Sequence, residues 1–484
     1  MTDGAQLKLF NSLTRQMEPF QPVHPGEARV YSCGPTVYNY QHIGNMRAYV
    51  FADTLGRVLR FKGYDLKHII NITDVGHLTS DADAGDDKME KAAALSGKTA
   101  WDIAAFYTAE FKRDLNWLNV TPPAKWTVAT DYVPAMIDYA KSIAEKHCYE
   151  LESGLYFDVS TVPEYGRLAR AVTDDGEGRI EDVNGKRSPA DFAIWRKTPL
   201  GETRQMEWDS PWGKGAPGWH LECSVMSAAE LGMPFDIHTG GIDHREIHHP
   251  NEIAQNQAHE GCAHTGASIW MHNNFLIDRG GKMSKSAGEF LRLQTLVDRG
   301  YHPLAYRMMC LQAHYRSELE FSWEGLGAAL VRLKRLVMGV EKIDATTKTE
   351  AKEQTFSAAE AMSIVHYGHF AEALSDDLNT PLALTEFENV IAYKQTPAVI
   401  KLSLIREMDR VLGFDFTKLT RQDLRIRPKT ATITEPEIEA ALAQRKDARA
   451  ARDFATSDRL RDELAAQGVE VMDGDPLGWD WKLS

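Results

Sequence analysis

The sequence contains no CxxC pair. Its five cysteines, Cys33, Cys148, Cys223, Cys262 and Cys310, are odd in number and scattered over 484 residues, which argues for reduced thiols and against a disulfide framework. Also missing is any run of roughly eighteen or more apolar residues, the length a membrane-spanning helix needs. Met1 to Gln6 lack the charged and apolar regions of a signal peptide, so a cytoplasmic protein is expected. An excess of basic residues is absent too. With a formal net charge of -14, indiscriminate binding to nucleic acid is excluded, while a specific RNA partner held by a local basic face stays open. There is no internal repeat or low-complexity segment, and the length implies several domains, each with its own core.

What is present concentrates in two motifs. Lys282-Met283-Ser284-Lys285-Ser286 lies between Gly280-Gly281 and Gly288. Two ammonium groups on a backbone loosened by glycine can close over a polyphosphate while its charge is redistributed. An isolated KxxK would be a solvated basic loop, so the string gains its meaning from a partner upstream. There Val30 to Cys33 is strand-like and Gly34 to Gln41 breaks the periodicity. His42-Ile43-Gly44-Asn45 then precedes a helical pattern carried by Val50, Phe51, Leu55, Val58 and Leu59. Gly63 ends that helix and Leu66 to Ile72 reads as the next strand, completing a βαβ unit. His42 and Asn45 thus sit at a helix N-terminus, where amides and the positive dipole end favour phosphate, and Gly44 lets the backbone approach a nucleotide.

The two motifs, about 240 residues apart, resemble the HIGH and KMSKS signatures of the class I aminoacyl-tRNA synthetases. The resemblance implies ATP gripped from opposite lobes of a Rossmann-like site by His42, Gly44, Asn45, Lys282 and Lys285, with Mg²⁺ accompanying the nucleotide. Asn45 replaces the second histidine of HIGH; its amide can donate to phosphate but cannot carry charge.

The predicted fold class is α/β: a Rossmann-like parallel-sheet catalytic domain split by an insertion, then a helical bundle and a small C-terminal module. Residues 1–120 are read as the first catalytic half, ending before the break at Thr121-Pro122-Pro123. Residues 121–211 are the connective insertion, with turn-punctuated segments such as Gly154 to Val159 and the acidic loop Asp174 to Gly178. In the second half, 212–327, Pro234 to His238 reads as a strand and Thr239-Gly240-Gly241 as its glycine turn. Ile253 to Ala258 belongs to a helix, and Trp270 to Ile277 reads as a strand before the lysine loop. Residues 328–420 read as a helical bundle with Leu330, Leu333 and Val337 on one face and further helices at Ala359 to Leu374 and Ile400 to Leu412. After a polar joint at Thr420 to Thr432, the module 434–484 opens on a capping box of Thr434 and Glu437, and Gly468 closes its helices.

Cys33, Cys223, His248 and Glu252 each fall at a loop or helix edge of the nucleotide-binding half. Two thiolates, an imidazole and a carboxylate are a plausible Zn²⁺ set, although spacing alone also fits ordinary buried thiols beside a capping histidine cluster. The segments YSCG at Tyr31–Gly34, GWHLECS at Gly218–Ser224 and HHPNE at His248–Glu252 resemble the zinc-binding segments of the cysteinyl-tRNA synthetases. That match implies one Zn²⁺ held by Cys33, Cys223, His248 and Glu252, with His238, His244 and His249 behind the ligands or facing substrate. Pro250 stands where an acidic residue is common. Zinc would answer a problem of selection: a hydrophobic pocket separates near-isosteres such as cysteine and serine only by about 100-fold, whereas a thiolate is a far better ligand than a hydroxyl. An editing domain is then unnecessary, and the insertion is short for one. In such a site Trp219 would wall the thiol pocket and Thr73 would hold the amino acid backbone; core packing or strand capping is the plain alternative for both.

The resemblance spans nearly the whole chain and implies a two-step reaction, in which L-cysteine attacks the α-phosphate of ATP and the adenylate is passed to the 3'-terminal ribose of tRNA(Cys). Asp243 would hold the adenosine end, although a turn aspartate often merely caps a helix. In the last module Arg445, Arg449 and Arg452 recur on one helical face, Phe454 could stack on a base, and internal pairing to Asp447 and Asp453 is the plain reading of that charge. Ala443 to Gly474 resembles the anticodon-binding end of the family, which makes Arg449, Asp458 and Asp473 the tRNA-binding candidates. A monomer is expected. Two rival functions differ in testable parts: a cysteine ligase acting on a small amine, of the mycothiol type, has no use for the module after Thr434, and a noncatalytic zinc-stabilised RNA-binding protein has no use for both ATP motifs. Lys88-Met89-Glu90-Lys91 resembles a segment linked in bacterial members to a pyridoxal-phosphate-dependent persulfide activity, and its plain reading is an exposed charged helix start.

Overall fold

The short apolar segments around residues 30 and 70 are bounded by turn residues, as strands buried on both faces should be. Both form: β1 (Glu27–Ser32) and β2 (Asp65–Ile72) pair in parallel, with α1 (Ile43–Phe61) crossing between them. The structure is a computed structural model that describes residues 5–75, 88–169, 185–261, 264–278, 281–282, 291–348, 365–394 and 396–483. β3 (Lys125–Val128) adds beside β2, and β4 (Phe235–Gly241) and β5 (Ala267–Asn273) add on the other side of β1. The order β5-β4-β1-β2-β3, parallel throughout, is doubly wound and reverses direction between β1 and β4. In such sheets ligands bind outside the carboxyl ends of the strands at that reversal. Helices α2 (Trp219–Leu231) and α3 (His248–Glu260) lie before and after β4 and bring their first turns to the same edge.

Three expectations are corrected. Thr239-Gly240-Gly241 is not a turn; these residues end β4 and pair with Met271, His272 and Asn273. Glycine serves there as empty space, since a Cβ at Gly240 would stand 2.7 Å from His249 Cε1 and 2.8 Å from His244 Nδ1. The run Trp270 to Ile277 is two strands rather than one. β5 stops at Asn273, and Leu276–Asp278 joins Gly281–Lys282 and Leu319–Glu320 in a separate sheet. At the break, the buried Arg47 of α1 takes the carbonyls of Asn274 and Phe275, which redirects the chain. The stretch expected as an insertion also differs at its edges. Lys125–Val128 remains in the central sheet, and the antiparallel sheet of Cys148–Leu151, Gly154–Phe157, Phe192–Lys197 and Gly215–Pro217 ends beyond residue 211. Asp174 to Gly178 lie outside the described residues.

Helix Trp323–Thr347 buries Leu330, Leu333 and Val337 as their spacing predicts, and Val365–Ser375, Thr380–Ala392 and Ala398–Leu412 complete the described part of the bundle. The last module has its own core of Ile438, Leu464, Val469, Trp479 and Trp481. Its first helix, Glu435–Ala450, carries the Thr434–Glu437 capping box. No described helix is long and apolar enough to cross a membrane.

Candidate functional site

The chain leaves β1 through Cys33 at the carboxyl edge, where the first turns of α2 and α3 present Cys223 and His248 with Glu252. One ligand atom from each of Cys33, Cys223, His248 and Glu252 lies within 4.8 Å of all the others. A second set, Cys33, His238, His249 and Glu252, meets the same criterion. The surroundings favour the first. His238 Nε2 is 2.8 Å from Glu252 Oε2, while Glu252 Oε1 lies 3.0 Å from His248 Nε2. Oε1 makes no hydrogen bond among the described residues, although Glu252 is fully buried. His248 is backed by His220, with Nδ1 atoms 2.8 Å apart, and Cys33 Sγ is 3.3 Å from His249 Nε2. Three of the four donors therefore have an imidazole behind them, the outer support that metal ligands need. The second set would leave Cys223 buried with no part in the site.

The electrostatics fit a cation at this point. Burial alone would lower the pKa of His248, but Glu252 and the Cys223 thiol raise it to about 10. Burial would raise that of Glu252, yet His238 and His248 bring it down to about 2. The pocket thus calls for positive charge. Burial pushes the Cys33 thiol up, and contact with Cys33, together with burial, pushes Cys223 higher still. A divalent metal would reverse this, because a coordinating thiol is deprotonated outright. Burial and the other imidazoles hold His249 neutral, and burial with the Arg245 guanidinium does the same for His272. With both rings neutral, the three contacts form a relay from Ser12 to Cys33 that two sets of tautomers satisfy, one for each direction. Ser12 Oγ meets His272 Nδ1 and His272 Nε2 meets His249 Nδ1, each at 2.8 Å, and His249 Nε2 meets Cys33 Sγ; with Cys33 a thiol the donors run towards Ser12, with Cys33 a thiolate they run towards Cys33. A metal-bound Cys33, deprotonated, would select the second direction.

Trp219, at the start of α2, stands with its ring 4.4 Å from that of His248, so it walls the donor cluster. Thr73 is buried; its hydroxyl donates to Glu222 Oε2 at 2.8 Å and accepts from Asn71 Nδ2 at 3.1 Å. Burial pushes Glu222 up to about 8, which keeps it a neutral acid at pH 7. Asn71 also accepts the Gly34 amide at 2.6 Å, so one side chain fixes both Thr73 and the residue after Cys33. A Cβ on Gly34 would fall inside the Asn71 carbonyl. Gly34→Ala should therefore force the ends of β1 and β2 apart and cost at least about 2 kcal/mol, read as a lower urea midpoint with loss of bound metal.

At the start of α1, His42 is the N-cap. Its Nδ1 accepts the Asn45 amide at 3.1 Å, and Asn45 Oδ1 accepts the His42 amide at 3.3 Å. Asn45 thus closes a capping box that an imidazole would close less readily, while its Nδ2 stays a donor. Gly44 leaves room for the His42 ring, which lies 2.9 Å from where its Cβ would be. Asp243 lies in the turn after β4, near enough to help raise the Cys33 thiol. Lys282 is described in its backbone alone, paired with Ile277, and Lys285 lies outside the described residues. Lys88 opens helix Lys88–Ser96, with Lys91 exposed in its first turn.

The row of three arginines in the last module does not form a common face. Arg445 is buried and grips Asp473 through both terminal nitrogens, at 2.9 and 3.3 Å. Arg449 reaches the same carboxylate at 3.3 Å from a half-exposed position, and Arg452 lies past the helix end at φ +60°. Asp453 caps the next helix, accepting the Thr456 amide at 3.1 Å. Asp458 is exposed, 3.4 Å from Arg461, and Phe454 is 62 % exposed. Sequence reasoning missed His220, Glu222, Asn71, His272 and Ser12, for which the only local signal was the presence of His220 and Glu222 beside Cys223.

Over 487 aligned residues the chain is 66 % identical to the cysteine–tRNA ligase of Novosphingobium aromaticivorans, covering 99 % of this chain and 98 % of that protein. The chain belongs to the cysteine–tRNA ligase family. It is 52 % identical to the cysteine–tRNA ligase of Zymomonas mobilis over 99 % of its length and 98 % of that protein. The family model for the tRNA synthetases class I (C) catalytic domain matches residues 19–330, and that for the cysteinyl-tRNA ligase anticodon binding domain matches 434–476. Among solved structures, the Mycobacterium tuberculosis methionyl-tRNA synthetase in complex with methionyl-adenylate shares the fold. Its TM-score is 0.54 at 14 % identity, over 81 % of this chain and 92 % of that one.

Proposed function

We propose that this chain activates L-cysteine with Mg²⁺-ATP and transfers it to the 3'-terminal ribose of tRNA(Cys), in the cytoplasm and as a monomer. The observation that carries the reading is the convergence of Cys33, Cys223, His248 and Glu252 at the sheet reversal, beside a helix N-terminus built for phosphate. A Zn²⁺ ion held by those four residues would favour a substrate thiolate over a serine hydroxyl. Trp219 closes the thiol pocket, and Thr73, set by Asn71 and Glu222, orients the amino acid so that its carboxylate meets the α-phosphate. His42 and Asn45 bind the phosphates, Gly44 admits the nucleotide, and Asp243 holds the adenosine end. Lys282 and Lys285 stabilise the charge that develops on phosphorus and pyrophosphate, so no protein nucleophile is required.

Metal analysis of the purified chain, joined to ATP–pyrophosphate exchange with cysteine against serine, tests this reading. About one zinc and exchange with cysteine alone are expected; no exchange by zinc-loaded protein would overturn it. A small-amine ligase is disfavoured by the match over 434–476. In that module Arg449, Asp458 and Asp473 are the proposed anticodon contacts. Arg449→Ala removes a half-exposed cation without opening a core, so exchange should be unchanged while KM for tRNA in aminoacylation rises about tenfold.

A further inference from the structure

The helical bundle holds a second cluster of metal-ligating side chains. His366 and His369 lie one turn apart on helix Val365–Ser375, and Glu386 faces them from helix Thr380–Ala392. One ligand atom from each lies within 4.8 Å of the other two. His366 Nδ1 is 2.8 Å from Glu386 Oε2, and His369 Nδ1 is 3.9 Å from the same oxygen. The first distance is a hydrogen bond; the second is too long to be one, and leaves the half-exposed His369 ring beside the carboxylate without bonding it.

The carboxylate has an unusual set of partners. Glu386 is only 8 % exposed, yet among the described residues no lysine or arginine pairs with it. Arg332 and Arg335 are taken by Glu388 instead, at 2.7 and 3.0 Å. A largely buried carboxylate surrounded by imidazoles lacks the positive charge that normally offsets desolvation. Asn389 Nδ2 donates to Glu386 Oε2 at 3.3 Å and fixes its rotamer, as outer partners of metal ligands do.

We propose that His366, His369 and Glu386 form a second, open metal site for a borderline divalent transition ion such as Zn²⁺ or Co²⁺. Two imidazoles and a carboxylate are a zinc-type donor set with positions left for water. Metal–ligand bonds of about 2.0–2.2 Å need donors roughly 3–3.5 Å apart, between the two separations observed, so small rotations of the side chains complete the site. The ion would staple two successive helices of the bundle. Unlike the crevice site, this one contains no thiolate, which gives it a separate spectrum.

The test loads the full-length chain with one equivalent of zinc and titrates it with Co²⁺. One further equivalent should bind, with weak visible d–d bands and no thiolate-to-cobalt charge transfer in the near ultraviolet. His369→Ala, at a half-exposed position where folding is not at stake, and Glu386→Gln should each weaken that binding at least about tenfold and leave the first zinc in place. Failure to take up a second equivalent, affinity unchanged in both variants, or cobalt appearing only with thiolate bands would each overturn the proposal.

Discussion

Cys223→Ser should lose its zinc and at least about 10²-fold in cysteine-dependent ATP–pyrophosphate exchange. The change replaces a soft thiolate by a neutral hydroxyl, a poor zinc ligand, in a position only 2 % exposed, where water cannot fill the gap. Outer-shell losses alone typically cost 10–100-fold in metal affinity, so loss of a ligand should exceed that range. Selection of cysteine over serine should then fall to what shape provides, about 10²-fold or less. Metal content by mass spectrometry and exchange rates with both amino acids check this, with circular dichroism confirming the fold. The overlapping donor sets make the experiment decisive. If Cys33, His238, His249 and Glu252 held the ion, Cys223→Ser would keep its zinc and His249→Ala would lose it. With Cys223 and His248 as ligands, the outcome reverses: His249→Ala removes the hydrogen bond to Cys33 and weakens binding without abolishing it.

The βαβ unit from Glu27 to Ile72 was legible in the sequence because its information is local: apolar periodicity, a helix cap and a terminating glycine, whose φ is +89° at Gly63. The grouping of Cys33, Cys223, His248 and Glu252 was expected from the resemblance of three segments to the family's, because donor chemistry alone fitted buried thiols as well; its members are spread over some 220 residues. The residues that orient them were not legible. Ser12 meets His272 across 260 residues of sequence and Asn71 fixes Gly34 across 37, and neither side chain has a distinctive neighbourhood in the chain. Two local rules misled. A glycine pair suggests a turn, but at Gly240 it provides space for His244 and His249. Helical spacing aligned Arg445 with Arg449 and Arg452; the first two do meet at Asp473, but Arg445 is buried and the helix stops before Arg452. In both cases tertiary packing decides what local pattern leaves open.

The helix that presents His42 and Asn45 is anchored at its middle, and Asp53→Ala should destabilise the chain by about 3–5 kcal/mol. Asp53 and Arg307 are both fully buried and lie 2.7 Å apart, and Asp53 also takes Arg57 at 2.7 Å and the Thr121 amide at 2.9 Å. Arg307 in turn donates to the carbonyls of Leu412 and Leu118, at 2.7 and 3.0 Å, so one cation ends two helices and ties the bundle to α1. Removing the carboxylate strands that cation in a fully buried site, which costs more than the lost attraction. Urea unfolding followed by circular dichroism measures the loss; a variant within about 1 kcal/mol of the parent would show the pair to be unimportant. Asp53→Ala combined with Arg307→Met should recover part of the stability, which simple loss of volume would not allow. The pH dependence has a definite sign. Burial alone would raise the Asp53 pKa, but Arg307 and Arg57 hold it below the usual carboxylate range. The advantage of the parent over Asp53→Ala should therefore be full above about pH 4 and shrink as pH falls through the depressed folded pKa. Because α1 carries His42 and Asn45, the proposed phosphate contacts, exchange by Asp53→Ala should show a raised KM for ATP at temperatures where the fold still holds.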